Sequence, residues 1–150
     1  INHKRESLLK LMKRVNLFVA NDGEARSLSG EQNLIRAARA LRRLGPQLVV
    51  IKKGEHGVLF YSDTVKFSFP AYPVDEVKDP TGAGDTFAGG LMGYLSKART
   101  INAKTLKTAL IYGTTLASFN VEGFGLEKTA TLTPEKVEHR KKELLDFISY

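Results

Sequence analysis

Residues 79–90 read DPTGAGDTFAGG, and this stretch indicates more about the fold than any other part of the chain. Pro80 favours extended backbone at the residue before it, and Gly82 and Gly84 permit a tight turn without side chains. Apolar residues then recur at helical spacing from Phe87 onward, so the pattern predicts a glycine loop that opens directly into a helix. The free N–H groups and the positive end of such a helix form an anion-binding site.

Asp85 is predicted to stand in the first turn of that helix. Two explanations for a carboxylate at this position stay open. A helix start favours a negative charge, which stabilises the helix by about 0.3–1 kcal/mol. Alternatively, the carboxylate is a general base beside a bound phosphate, where it accepts the proton of a hydroxyl while the turn stabilises charge on the phosphoryl oxygens. Phosphoryl transfer to a hydroxyl requires this combination.

Two familiar phosphate-binding motifs are absent from the sequence. The Walker A motif requires Gly-x4-Gly-Lys-Ser/Thr, and no segment matches it. The dinucleotide fingerprint Gly-x-Gly-x-x-Gly fails at Phe87, where its third glycine would stand, and Thr105 occupies the position of the ribose-binding acid. A Rossmann oxidoreductase is therefore disfavoured.

Helices and buried strands alternate outward from this loop. Helical spacing of apolar residues predicts helices over residues 4–14, 32–44, 84–97, 103–119 and 134–148. Short apolar runs predict strands over residues 17–20, 48–51, 58–61 and 65–69. The alternation predicts an α/β fold with a parallel pair of strands and a terminal hairpin. Gly89 and Gly93 lie four residues apart, a spacing that lets helices pack closely.

The composition fits one globular domain of ordinary size. The chain has 150 residues, of which 42% are hydrophobic and 26% are charged, so a core can form. It has no Cys, which excludes a disulfide scaffold and thiolate metal sites. No apolar stretch approaches the roughly 20 residues of a membrane span, so no membrane partner is predicted. The chain begins at Ile1 without an initiator Met, and we expect it to be a piece of a longer protein.

The positive charge of the chain has two possible meanings. Lys and Arg number 23 and Asp and Glu number 16, which gives a net charge of +7. Such a charge fits a nucleic-acid partner or affinity for phosphorylated small molecules. The basic clusters at 4–14 and 140–142 lie on helical patterns with interleaved Leu, so solvated helix faces are the preferred explanation. A basic nucleic-acid-binding fragment stays an alternative.

Residues 79–90 closely resemble the C-terminal signature of the PfkB carbohydrate kinases, the ribokinase-like family. The resemblance implies a ribokinase-like three-layer α/β/α fold, of which this chain contains an incomplete part. It also implies that the backbone of Gly82, Ala83 and Gly84 forms an anion hole, and that Asp85 is the catalytic base.

Two further positions match residues that bind ions in this family. Residues 21–24, Asn-Asp-Gly-Glu, resemble the Asn-x-x-Glu motif that organises Mg²⁺ and phosphate, with Glu24 acting through water. Taken alone, the tetrapeptide that begins at Asn21 is also typical of a turn and helix start. Asp79 matches a position that holds a monovalent cation such as K⁺ behind the anion hole, and its alternative role is to cap the loop.

Two other segments resemble the nucleotide site. The loop that borders the nucleotide phosphates and ribose corresponds to Lys52, Lys53, Gly54, Glu55, His56 and Gly57. Many family members have Thr or Ser in place of Lys52, and a lysine there can reach a phosphate as a mobile charge. The alternative is an ordinary start of a hairpin, with His56 as a surface turn residue. Gly113 matches the wall of the adenine site, and a packing glycine explains it equally well.

The resemblance implies that residues 1–150 are the C-terminal nucleotide-binding and catalytic part of a ribokinase-like domain. The N-terminal part, with the lid and most substrate contacts, lies outside the chain. We therefore expect ATP- and Mg²⁺-dependent phosphorylation of a hydroxyl on a sugar or nucleoside by a cytoplasmic enzyme. Three questions stay open: whether the fragment is active alone, whether it forms a homo-oligomer, and whether it is instead a non-catalytic nucleotide-binding module.

Overall fold

The computed structural model describes residues 4–149, and the chain divides between Phe69 and Pro70 into two units. The first unit is a sheet with three helices, and the second is helical. The predicted α/β class is thus confirmed. Among the described residues, no helix has the length and apolar character that crossing a membrane requires.

The first unit contains a four-stranded mixed sheet whose strands follow the chain order. Its elements are α1 (Arg5–Met12), β1 (Leu17–Asn21), α2 (Asp22–Ser29), α3 (Leu34–Arg43), β2 (Leu48–Lys52), β3 (Val58–Tyr61) and β4 (Lys66–Phe69). Strands β1 and β2 are parallel, whereas β3 is antiparallel to both β2 and β4. The predicted parallel pair and the β3–β4 hairpin are therefore both confirmed.

The core of the first unit joins the three helices to the central strands. It is formed by Met12, Ala25, Leu28, Ala37, Ala38, Leu41, Val49, Ile51, Leu59 and Tyr61. Val50 is also buried, so every inner position of β2 is covered, which is typical of a central strand. On β3, Phe60 is stacked on Phe67 of β4 with their ring centroids 4.6 Å apart. Full burial of each large apolar side chain contributes about 1.5–3 kcal/mol.

Helix α2 is an element that the sequence analysis did not predict. Residues 21–24 were interpreted as a turn and helix start, but only one helix, over residues 32–44, was predicted between β1 and β2. The structure has two, because α2 ends at Gly30 and α3 begins after Asn33, whose side chain accepts hydrogen bonds from the first turn. Only Ala25 and Leu28 are buried in α2, too few to produce a clear helical period.

The second unit contains the three predicted helices, which are confirmed as α4 (Ala83–Leu95), α5 (Ala103–Asn120) and α6 (Pro134–Ile148). Pro134 occupies the first turn of α6, and Thr133 is its N-cap. Helix α6 contacts α5 through the Tyr112 hydroxyl, which hydrogen-bonds both Glu138 and Lys141.

Among the glycines of α4, Gly90 packs closely against α5, whereas Gly89 and Gly93 do not. A Cβ atom added at Gly90 would lie 3.0 Å from Gly113 Cα and 2.8 Å from Leu116 Cδ1. A Cβ added at Gly89 or Gly93 would meet nothing within 4 Å. The prediction that these two glycines mediate helix packing was therefore wrong, because they face away from α5.

The glycine contact predicts opposite effects for two alanine substitutions in α4. Gly90→Ala should lower the free energy of unfolding by about 1–3 kcal/mol, because the new methyl group overlaps the backbone of α5. Gly93→Ala is the matched control and should raise it by about 0.5–1 kcal/mol, because alanine is the better helix former in open space. Urea unfolding of both variants measures the difference, and equal stabilities would contradict the assigned contact.

Candidate active site

The predicted glycine turn precedes α4. The amide of Ala83 donates to the carbonyl of Pro80 at 3.2 Å, which closes a four-residue turn. Gly82 occupies the third position with φ 80° and ψ −7°, the left-handed geometry of a type II turn. The Gly82 carbonyl then accepts the first helical hydrogen bond from Thr86 at 2.8 Å. A side chain at Gly82 would strain this backbone, which explains the glycine.

The turn leaves backbone donors without partners at the start of α4. Within residues 4–149, the amides of Gly82, Gly84 and Asp85 have no hydrogen-bond acceptor. Ala83, which was predicted to belong to the anion hole, instead donates its amide to the turn. The unused amides of Gly84 and Asp85 lie at the positive end of a 13-residue helix, so they offer an anion two adjacent donors.

Asp85 is exposed in the first turn of α4. Its carboxylate forms no ion pair or hydrogen bond with any other residue between 4 and 149. This arrangement satisfies both explanations for Asp85, since the helix end favours the charge and the carboxylate is free to accept a proton from a bound hydroxyl.

Asp79 caps the same turn. Its Oδ1 accepts a hydrogen bond from the Thr81 amide at 2.9 Å. Hydrogen bonds from the Thr81 hydroxyl, and then from the Thr81 amide, hold the pKa of Asp79 below its usual value. The capping role is therefore confirmed, and the monovalent-cation role of Asp79 stays a prediction.

The end of α5 supports this loop, and the sequence analysis did not identify it. The Val121 carbonyl accepts hydrogen bonds from the amides of Lys78 at 2.8 Å and Asp79 at 3.3 Å. Asn120 is 2% exposed, and its Nδ2 donates to the Gly125 carbonyl at 3.0 Å. The predicted helix ended at residue 119, and the sequence analysis assigned no role to Asn120 or Val121.

The Asn120 side chain also lies beside the turn, on the side of Gly82 where a side chain would project. The two atoms nearest to a Cβ built on Gly82 would be Asn120 Oδ1 at 3.6 Å and Nδ2 at 3.8 Å. No residue of the described chain donates a hydrogen bond to Asn120 Oδ1. A buried acceptor without a partner costs about 1–3 kcal/mol, so this oxygen destabilises the fold.

Gly113 packs against α4. A Cβ built on Gly113 would lie 2.8 Å from the Phe87 carbonyl oxygen and 3.0 Å from the Phe87 ring. The packing explanation therefore accounts for this glycine, and its contact with adenine stays a prediction.

In the first unit, Asn21 and Glu24 form a reciprocal N-terminal cap on α2. Asn21 Oδ1 accepts from the Glu24 amide at 2.7 Å, and Glu24 Oε2 accepts from the Asn21 amide at 2.8 Å. Both residues are exposed, and Glu24 Oε1 has no partner among residues 4–149. Asn21 ends β1 directly beside Lys52, the last residue of β2, so the parallel register brings two predicted site segments together.

The segment after β2 is the start of a hairpin, as one of the two explanations predicted. The Lys53 amide donates to the Gly57 carbonyl at 2.7 Å around a short 3₁₀ turn, Gly54–His56. Glu55 and His56 are exposed, and Glu55 Oε1 lies 3.7 Å from His56 Nε2. The amine of Lys53 donates to Ser68 Oγ at 3.3 Å.

Acidic and histidine side chains do not gather into a ready metal site. Within the part of the chain that the structure describes, no group of three or more such residues could hold a metal ion. A magnesium ion here would keep several waters and take further oxygen ligands from a bound phosphate.

Comparison with known proteins identifies the family. Residues 1–132 match the family described as pfkB family carbohydrate kinase. A curated cytidine kinase of Thermococcus kodakarensis is 41% identical over 98 residues, which are 64% of this chain and 35% of that protein. The chain belongs to the pfkB family of carbohydrate kinases, as the glycine turn indicated.

Solved kinases share the fold. One is aminoimidazole riboside kinase of Salmonella enterica, solved with aminoimidazole riboside and an ATP analog. Its match covers 93% of this chain and 46% of the kinase chain, with a TM-score of 0.82 and 28% identity. Another is a putative Ribokinase II of E. coli, solved with ATP and Mg²⁺. Its match covers 95% of this chain and 44% of the Ribokinase II chain, with a TM-score of 0.79 and 26% identity. The chain therefore spans less than half the length of these relatives.

The cap at Asp79 predicts a measurable shift of its titration. Thr81→Val removes the hydroxyl but keeps the amide, so the pKa of Asp79 should rise towards its usual value without reaching it. Because the folded-state pKa is lowered, these hydrogen bonds stabilise the loop above the usual pKa, and this stabilisation is lost as the pH falls through the lowered value. Carboxyl chemical shifts measured against pH report the change.

Glu135 provides the internal control for that titration. Its own backbone amide, followed by the Thr133 hydroxyl, lowers its pKa at the start of α6. The titration of Glu135 should be the same in the original protein and in the Thr81→Val variant. An unchanged Asp79 titration in the Thr81→Val variant would contradict the assigned cap.

Proposed function

We propose that this chain supplies the nucleotide-binding and catalytic part of an ATP-dependent kinase for a hydroxyl of a sugar or nucleoside. The observation that carries the proposal is an exposed, unpaired carboxylate, Asp85, beside the unused amides of Gly84 and Asp85. The reaction is ATP plus substrate–OH giving ADP plus the substrate phosphate ester. A base and an anion-binding turn on one helix start are the two groups that this reaction needs.

The proposed chemistry follows from these two groups. The carboxylate of Asp85 accepts the proton of the acceptor hydroxyl as the oxygen attacks the terminal phosphorus of ATP. The bond from that phosphorus to the bridging oxygen breaks, and ADP leaves with the electron pair. The amides of Gly84 and Asp85 stabilise the negative charge on the phosphoryl oxygens. The turn closed by Ala83 keeps these donors in place, so little reorganisation is needed during transfer.

The substrate class rests on the relatives. Their names include a cytidine kinase, an aminoimidazole riboside kinase and a putative ribokinase, so the acceptors are nucleosides and sugars. We extend this substrate class to the present chain, which covers less than half the length of those proteins.

The first unit contributes residues for the nucleotide and its metal in this proposal. Glu24 retains one unpaired oxygen, which fits a water-mediated contact with Mg²⁺, and Asn21 fixes the orientation of that carboxylate. When bound, Mg²⁺ neutralises charge on the nucleotide phosphates. The loop of residues 52–57 borders the phosphates, with Lys52 as a mobile positive charge.

Replacing Asp85 tests the proposed base. In the complete protein that contains this chain, Asp85→Asn should lower kcat by about 10²–10⁴-fold, because the amide cannot accept the hydroxyl proton. The affinity for ATP should change far less, since the backbone amides are retained. Steady-state kinase assays with a panel of nucleosides and sugars, together with calorimetric titration of ATP, measure both quantities.

Asp146→Asn is the matched control for that experiment. It removes an equal charge from an exposed site on α6 and should leave kcat within about twofold of the original protein. Full turnover by Asp85→Asn would remove Asp85 from the role of base. ATP binding without phosphorylation of any acceptor by the unmodified complete protein would favour a non-catalytic nucleotide-binding module.

The proposed monovalent-cation site at Asp79 has its own test. If Asp79 is a ligand for K⁺, the unmodified enzyme should be faster in K⁺ than in Na⁺, and Asp79→Asn should reduce that ratio. Thr81→Val keeps the carboxylate and should keep the ratio, so it separates ion binding from capping. Equal rates in the two salts for the unmodified enzyme would exclude the site.

A further inference from the structure

A buried side-chain amide whose oxygen has no hydrogen-bond partner lies beside the turn that precedes α4. Asn120 ends α5 and is 2% exposed. Its nitrogen donates to the Gly125 carbonyl at 3.0 Å, which fixes the orientation of the amide plane. With the nitrogen held there, the oxygen lies 3.6 Å from the position that a Cβ on Gly82 would take, and no donor within residues 4–149 satisfies it.

The surroundings of Asn120 connect it to the proposed catalytic groups. The next residue, Val121, accepts the backbone hydrogen bonds of Lys78 and Asp79 just before the turn. Gly82, against which the Asn120 amide lies, also has an amide without an acceptor in the described chain. The end of α5 therefore holds the segment before the turn through the Val121 carbonyl and places the Asn120 amide beside Gly82.

We propose that Asn120 is a positioning residue for phosphoryl transfer, because its buried amide holds the Gly82 turn in the geometry that presents the Gly84 and Asp85 amides. The inference rests on the proposed kinase function and adds a residue that does not touch the substrate. Its side chain acts on the reacting phosphate only through the turn.

The position of Asn120 beside Gly82 separates this role from ordinary structural support. Thr114, Thr115 and Ser118 are also buried on α5, and Thr115 Oγ1 likewise has no partner in the described chain, so an unpaired polar atom alone does not mark a functional residue. Asn120 is the residue whose side-chain atoms stand nearest to the place that a Cβ on Gly82 would occupy. Replacing Asn120 removes the desolvation cost of its unpaired oxygen, and the Gly125 carbonyl that loses its donor belongs to an exposed residue that water can reach. The Asn120 amide therefore reduces the stability of the fold at this point, as expected for a group that serves the site.

Asn120→Leu tests the proposal, because leucine has the same number and branching of side-chain heavy atoms and no hydrogen-bonding groups. In the complete protein, kcat should fall at least tenfold, since the turn no longer aligns its donors with the transferring phosphoryl group. The KM for ATP should change less than threefold, and the urea midpoint should stay equal or rise. A loss of stability with unchanged kcat would overturn the proposal.

Asn102→Ala is the matched control at the opposite end of the same helix. Asn102 caps α5 by accepting a hydrogen bond from the Thr105 amide at 3.0 Å. Its replacement should lower the urea midpoint and leave kcat within twofold, the reverse of the pattern expected for Asn120→Leu. If both variants lose stability and activity in parallel, Asn120 has only a structural role.

A second variant covers the case in which Asn120→Leu fails to fold. Asn120→Ser is smaller and still presents an oxygen, so it should fold and retain an intermediate kcat, above any residual activity of Asn120→Ala. Equal rates for the serine and alanine variants would contradict a role for the buried polar group.

A binding measurement keeps this inference separate from the proposed kinase function. In the unmodified protein, inorganic pyrophosphate should shift the amide resonances of Gly84 and Asp85, and in Asn120→Leu the shifts should be smaller. An active enzyme with normal turnover in Asn120→Leu overturns the inference and leaves the kinase proposal intact. If the unmodified protein is inactive, the kinase proposal is rejected. If Asn120→Leu nevertheless makes the pyrophosphate-induced shifts smaller, the role of Asn120 at the turn is supported.

Discussion

The hydrogen bonds between the end of α5 and the segment before α4 are the constraint on which the proposed site depends. The Val121 carbonyl accepts the amides of Lys78 and Asp79, so the chain reaches the turn along a fixed path. The contact between Gly90 and Gly113 then sets how closely α4 lies to α5. Because both ends of the turn are fixed to one helix, its unused amides need not be organised again when a phosphate binds.

The net charge of the chain is distributed unevenly between the two units. Residues 1–69 contain 13 Lys and Arg against 6 Asp and Glu, whereas residues 70–150 contain 10 of each, so the net charge of +7 belongs to the first unit. Within the second unit, whose charges balance, the anion site proposed at α4 therefore rests on backbone amides and the helix dipole. In the first unit, Arg42 and Arg43 lie in the last turn of α3, where the dipole favours positive charge, which supports solvated helix faces over a nucleic-acid surface.

The sequence was sufficient where periodicity and turn chemistry act locally. The buried run of β2 and the glycines before Asp85 produce patterns that can be recognised within a few residues. Helix α2 was missed because its stability comes from the Asn21–Glu24 cap and only two buried side chains. Asn120 was missed for another reason, since its role depends on Gly82, 38 positions earlier, and no local pattern reports a contact over that separation.

The structural and catalytic explanations of these residues are not exclusive. The hydrogen bond from the Asn21 amide fixes one carboxylate oxygen of Glu24 and leaves the other in a defined direction. Likewise, the Ala83 amide closes the turn and so determines where the next two amides point. A group that is already held in its binding geometry before the ligand arrives loses less conformational entropy when the ligand binds. Stabilising hydrogen bonds at the two motifs therefore also preorganise them, which explains why each sequence motif fitted both a capping residue and a phosphate site.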